Sequence, residues 1–292
     1  MPVRVVESKQ NARLKELRKA LNAPRHALGA LAGIEGPKLI EEALRAGLRV
    51  RTIFVAQGTE RSLDVLNLQA ETEILLLPKR LLDQALATEA PQPIAALIEP
   101  PDWTWSHVLG TRDRGAELIV VLAGIQDPGN LGTILRSAEA FGATGVVSLP
   151  GTVSAWNAKA VRASAGSVFR VPLLAVTEAE CFARLREAGV KTLATTVRAA
   201  QPADLANMSR PVALIVGNEG NGVPEDLAAQ ADGHITIPCP GPVESLNAAV
   251  AASVLLYEAS RQRTTPMSKH SGHPRNSSKS LPHAVEQRGA RR

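Results

Sequence analysis

The sequence predicts an α/β protein in two unequal parts, a small unit followed by a larger one built on a mostly parallel sheet. Three observations carry this expectation. Short runs rich in Val, Ile and Leu alternate with amphipathic stretches along most of the 292 residues. Gly, Pro and Asn/Asp clusters punctuate the boundaries between them. In the second part, runs such as "AELIVVLAG" and "PVALIVG" show little polar alternation, as strands covered on both faces do.

In the first part, "ESKQNARLKELRKAL" (7–21) predicts a helix with Leu14, Leu17 and Leu21 inward and its basic residues outward. "HALGALAG" (26–33) reads as a short strand. "IEGPKLIEEALRAG" (34–47) reads as a turn and then a helix, with Pro37 in its first turn and Gly47 as its C-terminal cap. The strand "VRTIFVAQ", a helix over 59–69, the strand "EILLL", the helix "KRLLDQAL" and the strand "IAALIE" complete a domain over residues 1–99. The Pro-rich stretch that follows is read as a linker over 100–116. The second domain, 117–263, takes strands from "AELIVVLAG", "TGVVSL", "VKTLATTV", "PVALIVG" and "HITIP". Its helices are expected at 130–142, 178–188, about 224–230 and 245–262. Residues 264–292 hold too little apolar content to fold and are expected to be a disordered basic tail.

Composition excludes several classes. No apolar run approaches the roughly 18 residues of a membrane span, and the first residues hold no apolar signal core, so a cytoplasmic protein is expected. Two cysteines, Cys181 and Cys239, make no disulfide framework, and the six histidines lack zinc spacing, so no metal is expected. The formal charge of +5 is unevenly spread. Residues 1–51 carry eleven Lys/Arg against five Glu, the tail carries six against one, and the middle is net acidic. Basic ends suggest a polyanionic partner met by the first domain and the tail.

Three loops each follow a strand and feed a helix, which is where open α/β sheets bind ligands. They are "GIQDPGNLG" (124–132), "GNEGNGVPEDL" (217–227) and "IPCPGPVESLN" (237–247). None is a dinucleotide fingerprint, a phosphate loop or a hydrolase elbow. The helix after the first loop has one apolar stripe, Leu131, Ile134, Leu135, Ala138 and Phe141, and an arginine at 136. By itself Arg136 reads equally as a solvated residue or as a functional one.

Taken together and in this order, Asn130-x-Gly132-x-x-x-Arg136, "GNEGNG" and Ile237-Pro238-x-x-Gly241-x-x-x-Ser245-Leu246-Asn247 resemble the three motifs of the SpoU (TrmH-like) RNA 2′-O-ribose methyltransferases. "VRASAGSVFRVP" (161–172) resembles a segment these enzymes carry after the first motif. The stretch from Ser8 to Gly47 resembles their ribosomal-protein-like RNA-binding domain. The similarity covers roughly residues 5–262. The chain departs from it at "GALAGIEG", where many relatives place an aromatic before the Glu-Gly, and in its long tail.

The resemblance implies an α/β-knot fold, a homodimer, and S-adenosylmethionine as cofactor. It assigns Gly217, Ile237 and Leu246 to cofactor binding, with Thr195 a fourth contact; Ile237 and Leu246 also read as plain core. It assigns Arg136, Asn130, Glu219, Ser245 and Asn247 to catalysis. A guanidinium is too weak an acid to serve as base, so Arg136 suits holding an RNA phosphate and stabilising a developing alkoxide. Asn130 is expected to position it, Ser245 and Asn247 to orient ribose or cofactor, and Glu219 to act as a base or as a structural acceptor for backbone amides. A separate substrate domain points to ribosomal RNA. Transfer RNA, or a non-catalytic assembly factor of the same fold, are the alternatives.

Overall fold

A computed structural model describes residues 3–22, 29–86, 88–110, 115–196, 201–243 and 245–264. The first sheet holds β1 (Val3–Val5), β2 (Ala32–Glu35), β3 (Val50–Ala56), β4 (Glu73–Leu77) and β5 (Ile94–Ile98) in the order β1-β4-β3-β5-β2. Only β5 runs against its neighbours. Helices α1 (Ala12–Asn22), α2 (Pro37–Arg45) and α3 (Lys79–Leu86) cover it. Leu14, Leu17 and Leu21 are buried as their spacing predicts, and each such side chain contributes about 1.5–3 kcal/mol relative to exposure.

Four expectations in this part are corrected. The edge strand β1 is not among the elements expected from the sequence, because three residues are too few for a period of two to show. The strand expected over 26–33 is described only from Ala32 and runs on to Glu35, drawn there by antiparallel pairing with β5; residues 26–28 lie outside the described residues. Over 59–69 the chain makes only a 3-10 turn, Glu60–Leu63, where the Thr59 and Ser62 hydroxyls donate to nearby backbone carbonyls and compete with a helix. The helix cap falls on Ala46, with Gly47 one residue beyond.

The second sheet is parallel throughout. It comprises β6 (Leu118–Ala123), β7 (Gly145–Ser148), β8 (Leu173–Ala175), β9 (Lys191–Thr195), β10 (Gln201–Pro202), β11 (Val212–Gly217) and β12 (Gly233–Thr236), in the order β10-β12-β9-β11-β6-β7-β8. Alternate residues of β6 serve the two faces. Leu118, Val120 and Leu122 join a core shared with the first sheet, and Ile119, Val121 and Ala123 join the core of the opposite face.

Helices α5 (Pro128–Ala140), α6 (Ala158–Ser164), α7 (Glu178–Glu187), α8 (Glu225–Ala228) and α9 (Ala248–Thr264) complete this domain. α6, which overlaps the start of the 161–172 stretch, and β8, just after that stretch, are not among the elements expected from the sequence. α5 starts two residues earlier than expected because Asp127 caps it and Pro128 opens it. α9 starts at Ala248, after the capping side chain of Asn247, and ends at Thr264, so the first residue assigned to the tail is helical. The rest of the tail lies outside the described residues. The stretch read as linker carries α4 (Trp105–Leu109), whose Val108 is fully buried and whose Trp105 Nε1 donates to Glu180 at 2.9 Å.

The last turn of α9 is tied to the beginning of the domain. The Arg263 guanidinium donates to four carbonyls: Met208 and Arg210 before β11, and Ala116 and Glu117 before β6. Burial lowers its pKa from the ordinary value, against the opposing pull of Glu117.

Candidate active site

The carboxyl ends of β12, β9 and β11, adjacent in the sheet, open onto a cavity of about 640 Å³. Thr195, Gly217, Ile237 and Leu246 all line it, as do Glu219 and Ser245. Helix α9 closes it from one side with Ala248, Ala251 and Leu255. Five residues from the second and third motifs, with Thr195 at the end of β9, thus meet around one space. Ile237 and Leu246 are half-buried in its wall.

Gly217 has a reason different from the one its motif suggests. A Cβ there would lie 2.0 Å from the Gly222 carbonyl carbon and 2.1 Å from the Val223 nitrogen. The loop after β11 folds back on itself, with Asn218 and Gly222 exchanging both backbone hydrogen bonds. Gly217 therefore makes room first for its own loop, and the loop then forms the cavity wall. Gly132 in the first motif is likewise a packing residue. A Cβ there would meet the Ala160 carbonyl and the Ala163 Cβ at 2.5 Å, so its absence lets α6 lie close on α5.

Beside the cavity three of the predicted side chains form one hydrogen-bonded chain. Asn130 Nδ2 donates to Glu219 Oε1 at 2.8 Å, and Asn247 Nδ2 donates to Asn130 Oδ1 at 3.1 Å. The Asn247 Oδ1 in turn accepts from the first amides of α9. Glu219 also takes Asn218 Nδ2 at 3.3 Å and the amides of Gln126 and Asp127 at 3.5 and 3.4 Å. Its carboxylate therefore ties the second loop to the first as well as accepting within its own Gly-rich loop. Burial raises its pKa, but the Asn130 and backbone hydrogen bonds outweigh that and hold it below the ordinary 4.5. The carboxylate is engaged as an acceptor from residues of both loops.

Arg136 stands apart. It is exposed on α5, does not line the cavity, and among the described residues makes no hydrogen bond or ion pair. Asn130 does not position it, since both ends of that amide are committed to Glu219 and Asn247. Its helix packs on α9 through Ser137 and Ser253 hydroxyls 2.7 Å apart and through a Phe141–Tyr257 edge contact.

Two supporting residues were missed in the sequence, although both had signals. Asn218 donates to the Gly124 carbonyl at 2.8 Å, while its Oδ1 accepts from the amides of Gly220 and Asn221. This is the side-chain turn that an Asn before a Gly-rich run favours. Asp127 accepts from the Asn130 amide at 2.9 Å and from Lys159 Nζ at 2.8 Å, so its pKa is lowered. The Asp-Pro pair announces that cap. Among the described residues no group of His, Cys, Asp and Glu could hold a metal.

A ligand cavity at the carboxyl ends of neighbouring parallel strands, walled by loops locked to each other, defines an α/β enzyme that works on a bound small molecule. The chain belongs to the SpoU rRNA methylase family, whose sequence profile matches residues 117–257. Residues 34–104 match the profile of RNA 2′-O ribose methyltransferase substrate binding. The chain is 34% identical over 252 residues to the 23S rRNA (guanosine(2553)-2′-O)-methyltransferase RlmP of Bacillus subtilis, covering 86% of this chain and 97% of that one. An AdoMet-bound rRNA methyltransferase from Sinorhizobium meliloti superposes with a TM-score of 0.75 at 29% identity, over 90% of this chain and 99% of that one. The SpoU methyltransferase AviRb from Streptomyces viridochromogenes, in complex with AdoMet, gives 0.74 at 28% identity, over 87% and 98%. The fold is accordingly the α/β-knot of that family.

Proposed function

We propose that this chain methylates a ribose 2′-hydroxyl of ribosomal RNA, with S-adenosylmethionine as the methyl donor. The observation that supports the reading most is the meeting of Thr195, Gly217, Ile237, Leu246 and Ser245 around one cavity whose loops Glu219 locks together. Its volume falls within the roughly 300–1,000 Å³ of small-molecule sites. Its mixed lining of apolar side chains and loop backbone suits an adenosine and an amino-acid tail. The bound cofactor supplies an electrophilic sulfonium methyl.

The chain's own residues do the rest. Thr195, Gly217, Ile237 and Leu246 hold the cofactor. Asn130, Glu219 and Asn247 fix the three loops relative to one another, so the site is organised before RNA arrives. Ser245, exposed at the cavity edge, orients the ribose. Arg136 offers an uncommitted planar fork to an RNA phosphate and stabilises the alkoxide as the hydroxyl attacks. The proton leaves to a phosphate oxygen of the RNA or to water.

Residues 1–99 and the basic tail supply phosphate contacts, which add affinity without reading sequence. The enzyme works as a homodimer in the cytoplasm. α9 is apolar on two faces, burying Ala252, Leu255, Leu256 and Ala259 while exposing Val250, Val254 and Tyr257. An exposed apolar stripe beside a buried one suits a partner on that second face, and Tyr257 touches the same α5 helix that carries Arg136. Among the described residues no helix is long and apolar enough to cross a membrane.

The test is calorimetry with S-adenosylmethionine, then transfer of labelled methyl to ribosomal RNA with mass mapping of the product. Cofactor binding without methyl transfer to any rRNA would leave the assembly-factor reading standing, and preferred transfer to tRNA would change the substrate. Sedimentation of Val254→Asp is expected to show monomer where the native chain is dimeric.

A further inference from the structure

The seam between the two domains is built around one carboxylate seated in a cradle. Glu42, on α2 of the small domain, lies across Gly166, where an added Cβ would come within 2.9 Å of the Glu42 Cβ and 3.3 Å of its Oε2. The backbone of the cradle is unusual. Gly166 has φ +92°, and the preceding Ala165, at φ 51°, is the one non-glycine residue with positive φ among the described residues. Such conformations persist only where the surroundings over-determine them, and they concentrate at functional positions.

Arg170, from the same segment, donates Nη1 to Glu42 Oε2 at 2.6 Å. Its Nε and Nη2 go to the two carboxylate oxygens of Glu139 on α5, which Ser167 also hydrogen-bonds. One guanidinium therefore joins the small domain to the helix that carries Asn130 and Arg136. A second charged joint flanks it: Arg162 Nη1 stands 3.9 Å from Glu35 Oε2, whose side chain is only 3% exposed. Between the joints, Ala158 of α6 packs on the core of the small domain, and Gly132 docks α6 on α5.

We propose that Glu42 and Arg170 are positioning residues for the RNA. They hold the small domain in one register on the catalytic domain, so that RNA docked on the former presents its target ribose at Ser245. The inference rests on the methyltransferase reading above. A misplacement of about 1 Å far from the chemistry is enough to cost about 10²-fold in rate.

Glu42→Lys sets like charges face to face across the seam and leaves the Arg170–Glu139 pair inside the catalytic domain. On an rRNA fragment long enough to reach both domains, its KM is expected to rise about tenfold. On a short oligonucleotide carrying only the target nucleotide, kcat/KM is expected to match the native enzyme, with cofactor affinity unchanged. Gly166→Ala, which pushes Glu42 away without changing charge, is expected to give the same split. Ala165→Gly relaxes the backbone without touching Glu42 and is expected to raise Tm at constant KM. An unchanged KM on the long fragment in folded Glu42→Lys overturns the proposal. Equal losses on long and short RNA also overturn it, since they mark a merely structural pair. If the native chain methylates no RNA, the functional reading itself has failed. Small-angle scattering then decides the seam alone: a Glu42→Lys profile identical to the native one overturns the fixed register, and an expanded one supports it.

Discussion

The two sheets carry function in opposite ways. In the seven-stranded sheet every strand runs the same way, so the loops after β6, β9, β11 and β12 arrive at one edge and can lock together there. In the five-stranded sheet β5 is reversed, and the turns after β2 and β4 run straight into α2 and α3 with no Gly-rich loop between. The first arrangement concentrates chemistry at an edge. The second leaves a domain whose resource is surface charge and its placement on a neighbour. Damage to the edge of the large sheet should abolish chemistry, and damage to the basic ends should only weaken RNA binding.

The largest effect is expected from Gly217→Val. The new side chain would collide with backbone at Gly222 and Val223, which cannot yield as a side-chain tip can. Calorimetry should detect no cofactor binding, and unfolding should show a loss of about 1–3 kcal/mol from overpacking. Retained affinity in a folded variant would detach the second loop from the cofactor.

Arg136 comes next, and it sharpens the comparison because it lies in the large domain yet outside the locked edge. Arg136→Lys is expected to lower kcat about 10²-fold with cofactor affinity nearly unchanged, because lysine keeps the charge and loses the fork. Near-native turnover would mean charge alone suffices, and near-native turnover in Arg136→Ala would make the residue a solvated one.

Glu219→Gln removes the charge from the acceptor that ties the loops together. A drop in kcat of about tenfold is expected, since orienting groups behind a site act on this scale. The pH dependence has a definite sign. The folded carboxyl titrates below its unfolded value near 4.5, so its contribution to stability is complete above that value. It is lost as pH falls through the lower folded value. The stability gap between native and Glu219→Gln proteins should therefore close below about pH 4.5, and a gap that persists at lower pH would break the assignment.

The smallest effect belongs to the tail. Deleting 265–292 should flatten the slope of log affinity against log salt while leaving kcat unchanged, because fewer counterions are released. An identical slope would make the tail idle.

These expectations show where the sequence was legible. The strand runs in the large domain and the leucine stripe of α1 could be read because burial on a regular lattice leaves a period. β1, only three residues long, and the 59–69 stretch, where hydroxyls bond locally, left no readable one. Order and spacing of the motifs brought the cavity residues together. The partner of each side chain was not readable, since Asn130 meets Glu219 and Asn247 across separations of 89 and 117 residues. The seam was invisible for the same reason: Glu42 and Arg170 are 128 residues apart.

Arg263 closes a span of 147 residues when it reaches the Ala116 carbonyl, and three further carbonyls converge on the same guanidinium. During synthesis that contact forms only after nearly all of the catalytic domain has emerged. Until then the helix that seals the cavity has no anchor at its far end. The cavity therefore gains the wall that α9 supplies late, from contacts of high sequence separation that make folding slow. A chain truncated a few residues short of Arg263 would keep the packing of α9 on α5 through Ser253 and Tyr257 but lose the tie from its last turn to the strands β6 and β11.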